Sequence, residues 1–312
     1  MMHIILALLQ AAAMIAVAPL ITGVIRKLKA RMQHRKGSGI LQPYRDLIKL
    51  FRKDETVSES SSWLFRLVPY VCMGSMLLLA LMVPFFFTGT AAPYGDLIAL
   101  VYIFTLYRFM MVLGGLEGGS VFGGMGSSRE TMMSVLIEPA LLLSIMAIAG
   151  LANAGMAVSA IPESLLLMGA AAVTPVLILA AASFFITLLA ENARVPFDNP
   201  ATHLELTMVH EGMLLEYSGR GLGLMEFSSM LRLTIFMSML GALFFPWGIA
   251  TETDPVSVII GFASIMIKLL LLAFAIAAVE SAISKFRLFR LPNLLTVSFV
   301  LSLLAMIVLY IL

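Results

Sequence analysis

Long, uninterrupted runs of apolar residues constrain the fold of this 312-residue chain more than any other feature of its sequence. A helix needs about 20 mostly apolar residues to cross the hydrocarbon core of a bilayer, and several runs reach that length. The chain is 61% hydrophobic and only 12% charged, which is about half the charged fraction of a typical soluble domain. Because the apolar residues are concentrated in runs, the sequence predicts an integral membrane protein.

These runs predict an all-α, polytopic membrane protein with about eight transmembrane helices in one transmembrane domain, residues 1–312. The predicted spans are 2–25, 63–88, 94–114, 130–152, 164–190, 229–249, 256–282 and 291–311. Lys and Arg are absent from every second connection, whereas the segment 26–62 alone holds ten of the 20. By the positive-inside rule the basic connections are cytoplasmic. We therefore predict a protein of the inner (cytoplasmic) membrane with both termini outside.

The first long cytoplasmic segment, 26–62, contains a predicted amphipathic helix. Tyr44, Leu47, Ile48 and Phe51 follow the i, i+3, i+4, i+7 spacing of one apolar helix face. Charged residues occupy most of the positions between them. Such a helix either lies in the membrane surface or docks a partner subunit, and the pattern does not choose between the two.

The second long segment, 191–228, is acidic, which is unusual for a cytoplasmic loop. It contains two basic residues, Arg194 and Arg220, and six acidic residues: Glu191, Asp198, Glu205, Glu211, Glu216 and Glu226. A solvated loop is the simplest explanation of this charge excess. The stretch 204–215 is apolar between its charges, however, which favours a folded piece packed at the membrane surface.

Five ionisable residues interrupt the predicted spans or lie at their ends: Arg108, Glu130, Glu138, Lys268 and Glu280. A charge at the centre of a membrane helix costs on the order of 3 kcal/mol, so each of these needs a charged partner or water. Burial favours the neutral forms of carboxylates and of lysine, which makes proton exchange possible near neutral pH. These residues therefore form either a proton or ion relay or static ion pairs that fix helix packing.

Several motifs resemble the H-type membrane subunit of NADH–quinone oxidoreductase, complex I. The segment Glu191-Asn-Ala-Arg-Val-Pro-Phe-Asp198 is similar to the Glu-Thr-Asn-Arg-Ala-Pro-Phe-Asp motif of that protein. Three other stretches resemble further parts of it: Leu41–Leu50, Glu205-Leu and Glu216-Tyr-Ser-Gly219. Together these motifs identify the chain as a relative of the H-type subunits.

Other details resemble a branch of this family, the anchor subunits of group 4 membrane-bound nickel–iron hydrogenases. These anchors are hydrogenase-4 component C and formate hydrogenlyase subunit 4. The details are Ser128-Arg-Glu130, Glu138-Pro139, Glu211-Gly212 ahead of Glu216, and Lys268 ahead of Glu280. The resemblance covers nearly the whole chain.

The resemblance implies a fold like that of the complex I H-type subunit and a membrane anchor that docks a cytoplasmic electron-transfer arm. The implied partners are a hydrogenase large subunit with a nickel–iron (NiFe) centre, small iron–sulfur subunits and antiporter-like membrane subunits. No redox centre is expected on this chain, because Cys72 is its only cysteine and iron–sulfur clusters are usually held by four. The implied relay residues are Glu130, Glu138, Glu191, Asp198, Glu205, Glu211, Glu216, Lys268 and Glu280. The implied pairing charges are Arg108, Arg129 and Arg194.

Two departures from the family pattern concern quinone binding. The relatives carry Glu-Ala-Glu ahead of the residue that matches Glu205, whereas this chain reads Ala201-Thr-His203. Two acids are thus missing from the mouth of the family's quinone-like cavity, and three extra residues follow Glu205. A quinone-site subunit of a complex I-like dehydrogenase remains the alternative function. An independent ion transporter is a third, although the sequence shows no inverted repeat.

The remaining polar signals are weaker. His203 and His210 lie seven residues apart beside Glu211, and proton sharing or partner contact is a better interpretation than metal binding. Glu117 either lines a polar cavity or faces water. The glycine-rich stretches 114–119 and 219–223 lack the strand–helix context of nucleotide-binding loops and predict turns. No nucleophile or nucleic-acid-binding patch stands out.

Overall fold

A computed structural model describes residues 2–58, 61–88, 96–198 and 208–311 of the chain. Within these ranges the chain is helical, and its only β-contacts are two isolated bridges. The helices are α1 Met2–Met32, α2 Gln42–Arg52, α3 Trp63–Met82, α4 Leu97–Glu117, α5 Val121–Leu151, α6 Ala160–Met168, α7 Pro175–Glu191, α8 His210–Leu214, α9 Gly219–Met239, α10 Pro255–Ala282 and α11 Leu291–Ile311. A π-helical turn, Leu240–Phe244, extends α9, and short 3-10 turns follow α6 and precede α11.

Seven of the described helices are long and apolar enough to cross a membrane: α1, α3, α4, α5, α9 with its π-turn, α10 and α11. Helix α7 is also apolar and has 17 residues, which is the lower limit for spanning a bilayer. The prediction of an all-α, multi-pass membrane protein is confirmed.

The predicted span 164–190 is wrong as one continuous helix. Helix α6 ends at Met168, where Gly169 takes the left-handed backbone conformation (φ 57°) that residues with a Cβ atom avoid. After a 3-10 turn, α7 starts again at Pro175, with the Thr174 hydroxyl accepting a hydrogen bond from the Leu177 amide. Apolarity continues through this break, so hydropathy alone could not locate it.

Three other helices are longer than predicted. Helix α1 continues to Met32 and not only to residue 25, α5 begins at Val121 and not at 130, and α9 begins at Gly219 and not at 229. The Ser120 hydroxyl sets the start of α5 by accepting a hydrogen bond from the Gly123 amide. The predicted turn at residues 219–223 is therefore wrong. Glu226 also belongs to a helix and not to the acidic segment.

The connections between helices fall at two ends of the bundle. At one end the segments 33–58, 192–198, 208–218 and 283–290 contact one another through hydrogen bonds and ion pairs, and we call this the charged end. Helix α2 lies there and packs on α1 and α9. At the opposite end, the Phe87 and Ala250 backbones form a bridge, and the Leu97 amide donates to the Met156 carbonyl.

The interior between the two ends is mostly apolar and aromatic. Phe104 of α4, Phe184 of α7 and Phe236 of α9 are buried, and the Phe236 ring makes tilted contacts with the other two at centroid distances of 4.5 and 5.8 Å. The outer faces of α10 and α11 expose large apolar side chains, as membrane helices do toward lipid. Buried charges lie between this aromatic interior and the charged end, and they form the candidate site.

Candidate functional site

Arg108 of α4 is the centre of a buried cluster of charges. It is 4% exposed, and its guanidinium contacts three carboxylates. Nη1 donates a 2.7 Å hydrogen bond to Glu138 Oε1, Nη2 donates to Glu191, and Nε lies 3.3 Å from Glu130 Oε1. Glu130 and Glu191 are both 1% exposed, whereas about a third of the Glu138 side chain is exposed. The cluster thus reaches from the core to the outer surface of the chain.

Three helices bring these side chains together. Glu130 and Glu138 lie eight residues apart on α5, and Arg108 of α4 reaches both because α4 and α5 are adjacent. Glu191 is the last residue of α7, which packs against α5. Sequence analysis placed Glu191 in a cytoplasmic loop, and the structure corrects this, since the helix ends one residue later than predicted. Glu191 therefore belongs to the buried cluster.

A second buried cation, Arg232 of α9, lies beside this cluster and was not identified from the sequence. It is 2% exposed, and its guanidinium lies 4.8 Å from the centre of the Tyr107 ring. Its charge acts on Glu191, yet no described carboxylate lies within ion-pair distance of it. Arg232 interrupts an apolar run just as Arg108 does. It lies three residues inside the predicted span 229–249, and the sequence analysis did not single it out.

The segment after residue 207 covers the cluster from the charged end. The Val209 amide donates to Asp198 Oδ2 at 3.1 Å, and Arg129 Nη1 donates to the Met208 carbonyl at 2.9 Å. Gly126 of α5 allows this close packing, because a Cβ atom there would lie 2.7 Å from the Val209 carbonyl oxygen. The segment is therefore a folded piece packed on the helices and not a solvated loop.

His210, the first residue of α8, is held by this segment against the cluster. Its Nε2 lies 3.7 Å from Glu130 Oε2, and neither ring nitrogen has a hydrogen-bond partner. Burial is the largest influence on the ring and lowers the pKa of His210, while the Glu130 charge opposes that shift. The neutral imidazole therefore prevails at neutral pH.

Two further groups of ion pairs lie closer to the charged end. Glu280 at the end of α10 is buried and pairs with Lys29 of α1 at 2.9 Å and with Arg194 at 3.3 Å. Asp198 is also buried and pairs with Lys285 at 2.6 Å. These pairs join the ends of α1, α7, α10 and α11. Of the three predicted pairing arginines, Arg108 and Arg194 pair with acids, and Arg129 binds a backbone carbonyl.

A cavity of about 540 Å³ connects the charged end with the buried cluster. Exposed residues such as Arg35 and Glu211 form its outer wall, and the buried residues Met111, His210 and Arg232 form its inner wall. Other lining residues are also charged: Arg26, Lys29, Arg194, Glu226 and Glu280. A polar cavity of this size has room for several water molecules, and it reaches His210, which lies next to Glu130.

Several other predicted residues lie apart from the cluster. Lys268 is only partly buried, and its ammonium donates to the carbonyl of Gly241 in the π-helical turn and to that of Phe245 just after it, away from any acid described. Glu211 and Glu216 are exposed in this chain. Glu117 Oε2 accepts a 2.6 Å hydrogen bond from the Ser62 hydroxyl at the start of α3.

Some predictions lie outside the residues that the structure describes. Glu205, His203 and the departure at Ala201-Thr-His203 fall in the stretch 199–207, which is not among the described ranges. The predicted pairing of His203 with His210 is likewise left as a prediction. Among the described residues no three His, Cys, Asp or Glu side chains come together as a metal site.

The chain is similar to known membrane subunits over almost its full length. Residues 4–311 match the NADH dehydrogenase family. The chain is 37% identical to hydrogenase-4 component C of Escherichia coli (strain K12) over 303 residues, covering 97% of this chain and 94% of that one. It is 35% identical to formate hydrogenlyase subunit 4 of the same organism over 294 residues, covering 94% of each.

More distant relatives share the fold. The H-type subunit of the NADH-quinone oxidoreductase of Syntrophotalea carbinolica is 31% identical over 236 residues, covering 70% of this chain and 69% of that one. A chain from the solved structure of the membrane-bound sulfane sulfur reductase, an archaeal respiratory membrane complex, superposes with a TM-score of 0.82 at 21% identity, covering 96% and 98% of the two chains. The chain therefore belongs to the NADH dehydrogenase family of multi-pass membrane subunits and is a relative of hydrogenase-4 component C, formate hydrogenlyase subunit 4 and the H-type subunit of complex I.

Proposed function

We propose that this chain is the membrane anchor and ion-coupling subunit of a multi-subunit, membrane-bound nickel–iron hydrogenase of the formate hydrogenlyase or energy-converting type. The names of its two E. coli relatives support the hydrogenase assignment. The redox groups, a NiFe centre and iron–sulfur clusters, would be held by partner subunits. This chain would convert a charge change at the nearest cluster into proton movement within the membrane.

The observation that carries this proposal is the set of three carboxylates on Arg108, of which two are buried and Glu138 is partly exposed. Glu130, Glu138 and Glu191 carry three negative charges, and Arg108 and Arg232 supply two positive ones. The set is therefore one positive charge short when all its members are ionised. An uncompensated buried charge is costly, so one proton bound among these carboxylates would offset it. A redox change nearby would alter the affinity for that proton.

The charged end fits the docking of the electron-transfer arm. It carries the exposed acids Glu211 and Glu216, the cavity mouth, and helix α2 with its exposed Ile48 and Phe51. We place this end in the cytoplasm, because the basic residues of segment 26–62 lie there. The partners at this end would be the hydrogenase large subunit and small iron–sulfur subunits.

Glu138 gives the cluster an outlet toward a neighbouring membrane subunit. It binds Arg108 on one side and is partly exposed on the outer face of α5 on the other. A carboxylate that faces lipid would be costly, so a partner is expected to cover it. We propose that antiporter-like membrane subunits receive the proton there.

The test is the Glu138→Gln variant of the intact complex in sealed vesicles. Glutamine keeps the shape of the side chain but cannot be ionised. We expect hydrogen turnover with a soluble dye to continue while coupled ion movement falls by about 100-fold, the usual range for losing a proton-transfer group. Glu163→Gln is the matched control, since Glu163 is exposed in α6 near the opposite end. Unchanged ion movement in Glu138→Gln would rule out the relay.

A quinone-site subunit of a complex I-like dehydrogenase is the second candidate, and the cavity is the observation that favours it. Its volume suits a small ring compound, but its lining carries many charged side chains. Sites for apolar ring ligands are lined mainly by apolar and aromatic residues. We therefore rank this function second. Reduction of an added short-chain quinone by the purified complex, abolished by a bulky substitution at Met111, would reverse the ranking.

A further inference from the structure

We propose that His210 is the residue through which protons enter the buried charge cluster from the cavity. This inference rests on the proposed coupling function and names the entry step that the function needs. His210 is not part of the Arg108 ion-pair set and does not hold that set together. It stands instead between the cavity wall and Glu130.

The contacts of His210 suit a transfer step. Nε2 lies 3.7 Å from Glu130 Oε2, slightly beyond hydrogen-bond length, and Glu130 Oε2 has no other hydrogen-bond partner. Resting contacts of proton-transfer groups are often long and shorten during turnover. The imidazole is more than 90% buried, and both of its nitrogens are unpartnered. Buried polar atoms normally bind protein groups or ordered water, and the adjoining polar cavity can supply that water.

Charges on several elements surround His210, and α4, which packs against α8, carries Arg108, the partner of Glu130. Glu130 lies on α5, Arg232 on α9, Glu191 at the end of α7 and Asp198 in the segment after it, and all four act on the ring. Glu130, Glu191 and Asp198 favour a proton on His210, whereas Arg232 opposes it. Asp198 is already neutralised by Lys285. The net effect allows brief protonation without trapping the proton on the ring.

The step is a simple relay through the two ring nitrogens. A hydronium ion in the cavity gives its proton to the free nitrogen of neutral His210 and becomes water. The imidazolium then releases the proton on Nε2 to Glu130 Oε2, which turns that carboxylate into a carboxylic acid. The ring is neutral again with its proton on Nδ1, and proton exchange with water in the cavity returns it to the starting tautomer. Glu130 now carries the proton that the cluster lacks, next to Arg108.

The cavity reaches the ring of His210, whereas Glu130 is 1% exposed and does not line the cavity. Glu130 lies on α5, which packs against α4 and α7. Arg232 also faces the cavity, but a guanidinium keeps its proton and cannot relay one. Among the lining residues, His210 lies 3.7 Å from Glu130, and an imidazole can accept and release protons near neutral pH.

The experiment compares His210→Asn with His34→Asn in the intact complex reconstituted into vesicles that report internal pH. His34 is an exposed histidine at the same end, and Asn accepts its left-handed backbone conformation. We expect His210→Asn to slow proton movement by about 100-fold at unchanged dye-linked hydrogen turnover. His34→Asn should match the wild type in both assays.

A second variant separates proton transfer from packing. His210→Ala leaves a space that opens into the cavity, and added imidazole can enter it. We expect imidazole to restore proton movement, whereas pyrrole, a ring of the same size without a basic nitrogen, should not. Equal effects of the two rings, or no rescue, would overturn the inference. This comparison uses one protein sample, so a folding defect in the variant affects both arms equally.

The outcomes distinguish this inference from the proposed function. Full proton movement in His210→Asn together with a loss in Glu138→Gln would overturn the entry role and leave the coupling function standing. Full movement in both variants would reject the coupling function itself. Loss of proton movement in both variants, together with rescue of His210→Ala by imidazole but not by pyrrole, supports both proposals.

Discussion

At the scale of single residues, the properties of this chain depend on Arg108. A lone guanidinium in a membrane helix is costly, and three carboxylates from two other helices offset that cost. The dependence is mutual, because the same three acids would repel one another without it. Arg108 therefore holds the cluster together, and under the proposed function the same cluster would also carry the relayed proton, so the two alternatives left open by the sequence do not exclude each other.

Replacing Arg108 by Leu should destabilise the chain strongly. Removing one partner of a buried ion pair typically costs about 3–5 kcal/mol, because the remaining charges stay buried without compensation. We expect the double variant Arg108→Leu/Glu191→Gln to recover part of that loss. Unfolding of the chain by denaturant in detergent micelles measures both effects. The matched control is Arg66→Leu, since Arg66 is exposed and forms no ion pair among the described contacts. Equal losses in Arg66→Leu and Arg108→Leu would contradict the central role of Arg108.

At the scale of elements, the position of His210 depends on how closely α5 and the 208–214 segment approach. Gly126 faces the Val209 carbonyl and the Met213 side chain, so no larger residue fits without movement. Gly124, two residues earlier in the same helix, has open space where a Cβ atom would be. Helix α5 thus contains one glycine in a tight contact and, two residues earlier, another glycine with room for a larger side chain.

Gly126→Ala and Gly124→Ala should therefore change the stability of the chain in opposite directions. An added methyl group at Gly126 overpacks the contact, and we expect a loss of about 1–3 kcal/mol together with displacement of α8. The same change at Gly124 should be neutral or stabilise the helix by up to about 1 kcal/mol, since Ala favours helix more than Gly. Thermal unfolding of the two purified variants measures the difference. A destabilised Gly124→Ala with an unaffected Gly126→Ala would show that the segment is not seated as described.

At the scale of the whole molecule, the two ends of the bundle are held together by different kinds of interaction. The opposite end is closed by short backbone contacts, whereas the charged end is held by ion pairs around a polar cavity. Titratable groups at the charged end can exchange protons with water in the cavity. The free energy of unfolding should therefore depend on pH mainly through these groups.

Acidification should weaken the fold through His210. Burial holds the pKa of His210 below its ordinary value of 6.5 in the folded chain. Above that pH the ring is neutral in both states and contributes nothing. As the pH falls below 6.5, the unfolded chain binds a proton that the folded chain resists, so the free energy of unfolding decreases. We expect the unfolding temperature to fall over this range, and less steeply in His210→Asn. A slope that is identical in the two proteins would assign the pH dependence to other groups.

The sequence predicted the multi-pass helical architecture correctly and singled out most of the charges that the structure buries together, because apolar runs and the charges that interrupt them are local features. Arg108, Glu130 and Glu138 were all identified in this way. Lys268 was identified by the same reasoning but lies apart, bonded to the π-helical turn of α9. Arg232 was not singled out, although it interrupts the predicted span 229–249 in the same way.

What the sequence alone determined is the membrane location, the family and the set of charges that a bilayer makes costly, since each follows from composition, spacing and motif. Which charges meet was decided only by the tertiary structure. Arg108 joins acids up to 83 residues away, and His210 reaches Glu130 through the close packing of a separate segment on α5. Such contacts depend on how helices pack in three dimensions, and no local pattern in the chain records that packing.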